Sequence, residues 1–236
     1  MTDKQTLRER VWDRLEAEGH ARFPFPPHGR ITNFTGAEAA AERAMDLSEL
    51  AGVDAVKANP DAPQLPLRRA LLKQGTTVYM AVPRLAEPAC FVELDPEAVS
   101  DIEAAPTVSH MNQYGRQVAP AAMPDIDAIV AGSVAVTDDG ARIGKGEGYS
   151  DLEYAVLRER GAVDGETPVV TTVHDVQVVE EDVTGERYDV PMDIVCTPTR
   201  TVRTGADPDA KPTGVFWNDL GEDRRGEIPV LDELRG

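Results

Sequence analysis

Aromatic side chains are scarce: Phe, Tyr and Trp together make up 5% of the 236 residues. A core must therefore be built from Val, Ala, Leu and Ile, within a hydrophobic content of 41% that is ordinary for a globular chain. Cysteine is nearly absent. Cys90 and Cys196 lie in the apolar stretches ACFVEL and MDIVCTP, where each reads as a small buried hydrophobe. Two cysteines exclude a disulfide framework and point to a reducing interior. No apolar run approaches the ~18–20 residues needed to cross a bilayer. The opening stretch MTDKQTLRERVWDRLEAEG has no apolar signal region. These absences predict a cytoplasmic protein without a membrane partner.

Positive charge is also short. Lys and Arg number 24 against 42 Asp and Glu, a net charge of −18. Such a surface repels nucleic-acid phosphates and anionic lipids, so no nucleic-acid partner is predicted. Arg far outnumbers Lys and Asp is abundant. This suits a halophilic surface, screened by high salt, or a merely acidic cytosolic one. His20, His28, His110 and His174 are scattered, without a partner at metal-ligand spacing. His174, beside Asp175 in a candidate strand, reads as a hydrogen-bonded structural histidine. Ser133 in AGSVAV has no nucleophile-elbow context.

What is present is an alternation of helices and apolar strands. Leu7, Val11 and Leu15 recur at helical spacing, with Thr2 or Asp3 as cap. Proline-rich FPFPPHGRITNFTG then connects to a helix over Thr35–Leu50. Leu67–Gln74 is predicted helical and closed by Gly75; Asp95–Ala104 and Tyr149–Arg160 are predicted helical as well. Strands are predicted at Gly52–Lys57, Thr76–Val82, Cys90–Leu94, Val169–Val179, Asp193–Cys196 and Val215–Trp217. Asp127–Val136, DAIVAGSVAV, is nearly all apolar, as in a strand buried on both faces of a parallel sheet. The alternation predicts an α/β fold with a mostly parallel sheet and helices on both faces. The chain reads as one domain over residues 1–236, with a charged tail from about residue 218 that has little to bury.

The informative segment follows the apolar run. Gly144, Gly146 and Gly148 alternate between a strand-and-turn and a helix start. Glycines let the backbone approach an anion, and a helix start offers unpaired N–H groups. Arg142 and Lys145 add cations, and Asp151 in the first helical turn is placed to hold a metal that bridges phosphates. The plain alternative is a flexible turn with Asp151 as an ordinary first-turn acid. The loop is neither a Walker A sequence nor the dinucleotide fingerprint. On the first helix, Lys4 and Arg8 fall on the side of Val11 and Leu15, either snorkelling to the edge or leaning over an anion site.

The stretch Arg142-Ile143-Gly144-Lys145-Gly146-Glu147-Gly148-Tyr149-Ser150-Asp151 resembles the R-L-G-x-G-x-G-Y-Y-D signature of the 5-formyltetrahydrofolate cyclo-ligases, or 5,10-methenyltetrahydrofolate synthetases. Lys4, Leu7, Arg8 and Arg14 resemble that family's K-x-x-L-R-x-x-x-x-x-R, and Asp189 and Asp193 its closing N/H-D-x-x-x-D. The likeness runs to about Thr201. It implies a three-layer α/β/α sandwich. It implies ATP- and Mg²⁺-dependent conversion of 5-formyltetrahydrofolate to 5,10-methenyltetrahydrofolate, with phosphorylation of the formyl oxygen before ring closure. On that resemblance the nucleotide phosphates fall to Lys4, Arg8, Arg142, Gly144, Lys145, Gly146, Glu147, Gly148 and Tyr149. Lys145 would stabilise the transferred group, Asp151 and Asp189 would bind Mg²⁺, and Tyr149 would also face substrate. The sequence departs from the family at Ser150, at Leu152-Glu153-Tyr154, and at Asn59-Pro60-Asp61-Ala62-Pro63-Gln64, which stands where relatives carry Met-Pro-x-Glu with a folate-holding Glu. Asp61 or Gln64 is the implied substitute in substrate binding. These departures resemble a divergent cyclo-ligase-like branch, and they leave a related pterin substrate or a non-enzymatic nucleotide- or folate-binding role as alternatives.

Overall fold

The computed structural model describes residues 3–235, apart from the side chains of residues 222 and 223. Thr2, one of the two expected caps, lies outside the described residues. Asp3 is the cap: its Oδ2 accepts from the N–H groups of Gln5 and Thr6 at 3.1 and 3.0 Å, opening α1 (Lys4–Ala17). Leu7, Val11, Trp12 and Leu15 form the buried stripe of that helix.

The remaining elements follow in chain order: α2 (Ala37–Met45), β1 (Ala55–Ala58), α3 (Leu65–Gln74), β2 (Thr77–Ala81), β3 (Phe91–Leu94), α4 (Met111–Tyr114) and β4 (Arg116–Val118). Then come β5 (Ala128–Ala131), β6 (Ala135–Thr137), β7 (Arg142–Ile143), α5 (Tyr149–Glu159), β8 (Val169–Thr172) and β9 (Val178–Val179). The chain closes with β10 (Ile194–Cys196), β11 (Thr201–Arg203), α6 (Glu222–Glu227) and α7 (Pro229–Arg235).

Eight strands form the main sheet in the order β11-β10-β8-β5-β1-β2-β3-β4. The run from β10 to β2 is parallel, and β11, β3 and β4 add antiparallel edges. The sheet is flanked by helices. On β1 and β5 every residue is buried, as strands covered on both faces require. Cys90 and Cys196 are buried and unpaired, and burial pushes their thiols up to about 12 and about 11.

Two predicted strands are each broken into two. The run 127–136 is in β5 as far as Ala131 and then crosses at Gly132 and Ser133 into β6, which belongs to a second sheet ordered β7-β6-β9. The run 169–179 does the same through a turn at Asp175–Gln177, from β8 to β9. The crossings lie side by side: Ser133 Oγ and Thr171 Oγ1 are 3.0 Å apart. The Gln177 side chain donates to the carbonyls of Ser133 and Val134 at 3.2 and 3.0 Å, satisfying groups that neither sheet pairs. The stripe of α1 packs on this small sheet through Val134, Ala135, Ile143, Val176 and Val179.

Three other expectations are corrected. Asp95–Ala104 forms turns, because Asp95 and Asp101 use their carboxylates to accept N–H groups two and three residues ahead. Val215–Trp217 pairs with no strand among the described residues. The charged tail buries Ile228, Val230 and Leu231 at no more than 1% exposure, and α7 packs against α5.

Candidate functional site

A cavity of about 470 Å³ opens where the chain leaves the carboxyl ends of β1, β2 and β5. That edge of a parallel sheet is where loops are free to diverge and ligands bind. Asn59 and Asp61 follow β1, Pro83 and Arg84 follow β2, and Gly132 follows β5; all line the cavity. The opposite wall is the loop from Gly144 to Gly148 and the first turn of α5.

The loop stands open. Lys145, Gly146, Glu147 and Gly148 are exposed. Gly146 and Gly148 have φ of 107° and 67°, a left-handed conformation that other residues adopt only under strain. With it the backbone turns sharply at Gly146 and Gly148 before α5 begins. Arg8 crosses from α1 and donates Nε to the Gly144 carbonyl at 2.6 Å, so the helix end is tied to the loop. Burial lowers the Arg8 pKa, Asp3 and Asp189 act to raise it, and Arg142 adds repulsion. Lys4 Nζ meets Asp189 Oδ2 at 2.5 Å, and Lys145 Nζ meets Glu147 Oε2 at 2.7 Å.

Arg142 and Asp151 differ from expectation. Arg142 borders the cavity but is buried, donating to the Gly132 carbonyl at 3.0 Å and to Asp151 Oδ2 at 2.5 Å. Burial opposes its charge, yet Asp151 prevails and its pKa is raised. The second Asp151 oxygen accepts the Val190 N–H at 3.1 Å. Both oxygens are thus engaged in holding the loop. Gln64 is also corrected: it is fully buried behind the wall, with Nε2 donating to the Thr172 carbonyl and hydroxyl at 3.1 and 3.2 Å. Asp61 does line the cavity. Burial raises its pKa against the pull of Lys145, Arg68 and Lys57, while Glu153 adds to the rise.

Residues 1–198 match the 5-formyltetrahydrofolate cyclo-ligase family. The chain belongs to that family. It is 42% identical over 98% of its length to the methenyltetrahydrofolate synthase domain-containing protein of Mus musculus, and 41% identical over 98% to that of Bos taurus. It spans about three fifths of those relatives, 63% and 62% of their lengths. The solution structure of Aquifex aeolicus 5,10-methenyltetrahydrofolate synthetase shares the fold, with a TM-score of 0.54 at 19% identity, covering 86% of this chain and 93% of that one.

Several residues at this cavity escape sequence reading. Arg68 is a buried guanidinium that donates to the carbonyls of Asn59, Pro60, Asp61 and Pro106, clamping the turn that carries Asn59 and Asp61. Burial lowers its pKa to about 9. Arg84, at φ 60°, adds a cation to the rim. Arg224 of α6 donates to the Glu147 carbonyl and lies 4.9 Å above the Tyr149 ring, in a segment beyond the family match. Lys57, beneath the floor, forms a buried ion pair with Glu153, which lines it. The one visible signal was Lys57 itself, a lone charge in an otherwise apolar strand.

The fit of a magnesium ion turns on the carboxylates. Among the described residues no three His, Cys, Asp or Glu side chains cluster as a metal cage. A magnesium ion carried on nucleotide phosphates needs only one or two carboxylates. Asp189 is the better placed: it lines the cavity, its side chain is 20% exposed, and its bonds to Lys4 and to the Glu186 N–H both use Oδ2. His174 serves as a cap, accepting the Val176 N–H at 3.3 Å, and stacks on His20. No helix among the described residues is long and apolar enough to cross a membrane.

Proposed function

We propose that this protein uses ATP to close 5-formyltetrahydrofolate to 5,10-methenyltetrahydrofolate, releasing ADP and phosphate. The observation that carries this reading is the open loop of Gly144–Gly148 at the start of α5, which lines, with Lys4, Arg8 and Lys145, a cavity large enough for a ligand. In a protein of net charge −18, Lys4, Arg8, Arg84 and Lys145 gather cations at this cavity, beside Asp61, Glu147 and Asp189, and so offer an anion local partners that the surface at large lacks.

Roles follow from position. The loop amides and Tyr149 cradle the phosphates, with Arg8 fixing the loop and Lys4 released from Asp189 to an arriving phosphate. Asp189 would hold Mg²⁺, with Asp151 behind it as the clamp on Arg142. When bound, the magnesium ion neutralises phosphate charge. Lys145 reaches the transferred group and stabilises the charge that builds on it. The phosphoryl group passes to the formyl oxygen and ADP leaves. The neighbouring amine then forms the new C–N bond, and inorganic phosphate departs with the formyl oxygen. The site's contribution is positioning and charge neutralisation.

The test is incubation of the full chain with Mg²⁺-ATP and 5-formyltetrahydrofolate at high salt, following methenyl absorbance and ADP together. Both signals should rise. ATP binding without turnover would favour a ligase for another pterin or a non-enzymatic nucleotide- or folate-binding protein. The absence of both binding and turnover would refute the reading.

A further inference from the structure

Two departures from the family signature, the turn after β1 and the start of α5, meet in the cavity. Asn59 Nδ2 lies 3.5 Å from Glu153 Oε2 across a sequence separation of 94. Ser150 donates to Asn59 Oδ1 at 3.3 Å. Lys57 Nζ donates to the same oxygen at 3.2 Å and pairs with Glu153 Oε2. Lys57 is 1% exposed and the Glu153 side chain 7%. Asn59, Ser150 and Glu153 line the cavity, whereas Lys57 lies beneath it.

Stability does not account for this pair. Two buried charges lose hydration that their attraction seldom returns, and apolar residues of like volume serve a core as well or better. β1 is otherwise apolar. Nor does the cluster suit a phosphate. Its ammonium is already paired, and the group facing the cavity is a carboxylate, which repels anions. A carboxylate beside a carboxamide instead matches a ligand edge carrying adjacent N–H donors.

We propose that Glu153, paired with Lys57 and oriented by Asn59, determines specificity by accepting the N–H donors of an aminopyrimidine-type ring on the substrate. Lys57 is a positioning residue, since it does not reach the cavity. The proposal rests on the folate reading above and names the group that selects the ring.

The test uses the full chain as wild type, Glu153→Gln, Lys57→Met and the double variant. Probes are 6-methylpterin, its 2-desamino analogue and Mg²⁺-ATP, titrated by calorimetry, with unfolding followed in parallel. Glu153→Gln should weaken 6-methylpterin by about ten-fold or more, the scale of a charge-assisted hydrogen bond, and erase the preference over the desamino analogue. Its Mg²⁺-ATP affinity should stay within about two-fold. The double variant should regain the Tm lost in the singles without regaining pterin affinity, which a merely structural pair would not show. A folded Glu153→Gln protein that still prefers 6-methylpterin overturns the proposal, as does a wild type that binds no pterin. Loss of cyclisation alone counts against the proposed reaction and leaves the pterin result to decide this inference.

Discussion

Arg142 and Asp151 face each other at 2.5 Å beneath the glycine loop, their side chains 5% and 11% exposed. Through Gly132 and Val190 the pair joins the end of β5, the short β7, the first turn of α5 and the segment before β10. The open loop stands on this buried link, with Arg8 and Arg224 tying it from α1 and α6.

Asp151→Asn removes the charge opposite Arg142 and leaves that guanidinium buried without a counter-ion. Breaking a buried pair from one side costs about 3–5 kcal/mol. Urea unfolding of the variant should show a loss of that order, together with weaker ATP binding as the loop loosens. Unchanged stability would mean that the pair does not anchor the loop.

Lys145→Ala should separate chemistry from folding. Lys145 is exposed and its one ion pair is to Glu147 in the same loop. The unfolding midpoint should scarcely move, while kcat falls by about 10²–10³-fold, as for loss of a group that stabilises transition-state charge. A fall in ATP affinity with kcat intact would assign Lys145 to ground-state binding instead.

Asp61 should make nucleotide binding depend on pH. Burial holds its pKa above the ordinary 3.8. An acid raised in the folded state favours folding most below its unfolded pKa, and that contribution disappears as pH climbs through the raised folded value. Over the same window the new carboxylate opposes Lys145 and weakens its pull on phosphate. Calorimetric Kd values for Mg²⁺-ATP should therefore increase as pH rises, and Asp61→Asn should flatten the profile. An identical profile in the variant would remove Asp61 from the site.

The carboxyl-terminal segment yields two separable effects. Leu231 is 1% exposed, and Leu231→Ala should destabilise by about 2–5 kcal/mol, as for other buried leucines. Arg224→Ala should leave stability nearly unchanged and lower nucleotide affinity, because Arg224 supports the loop through the Glu147 carbonyl and covers Tyr149. Equal affinity in wild type and variant would make that contact incidental.

The helices around Leu7–Leu15, Leu67–Gln74 and Tyr149–Arg160 were legible because periodicity and caps act within a few residues. The glycine loop was legible for the same reason, and so were Lys4 and Arg8 on the inner side of α1. The breaks at Gly132 and after Thr172 were not, since both halves of each run are apolar and sheet membership leaves no mark on hydropathy. Ile228, Val230 and Leu231 were hidden among charged neighbours that face solvent. Asp151 and Gln64 were the right residue types at fitting places, but their partners come from distant segments.

Sequence alone determined the local chemistry: which stretches coil, which extend, where glycine frees the backbone, and which cations stand beside it. Tertiary structure decided which of those groups remain available to a ligand. Lys57, Arg68 and Arg142 are all cations in sequence, yet each is buried in the fold and committed to a carboxylate or to carbonyls, because a charge withdrawn from water must find a partner. Lys145, on an exposed loop, faces no such requirement, and its pairing with Glu147 is a solvent-exposed contact that an arriving anion can replace.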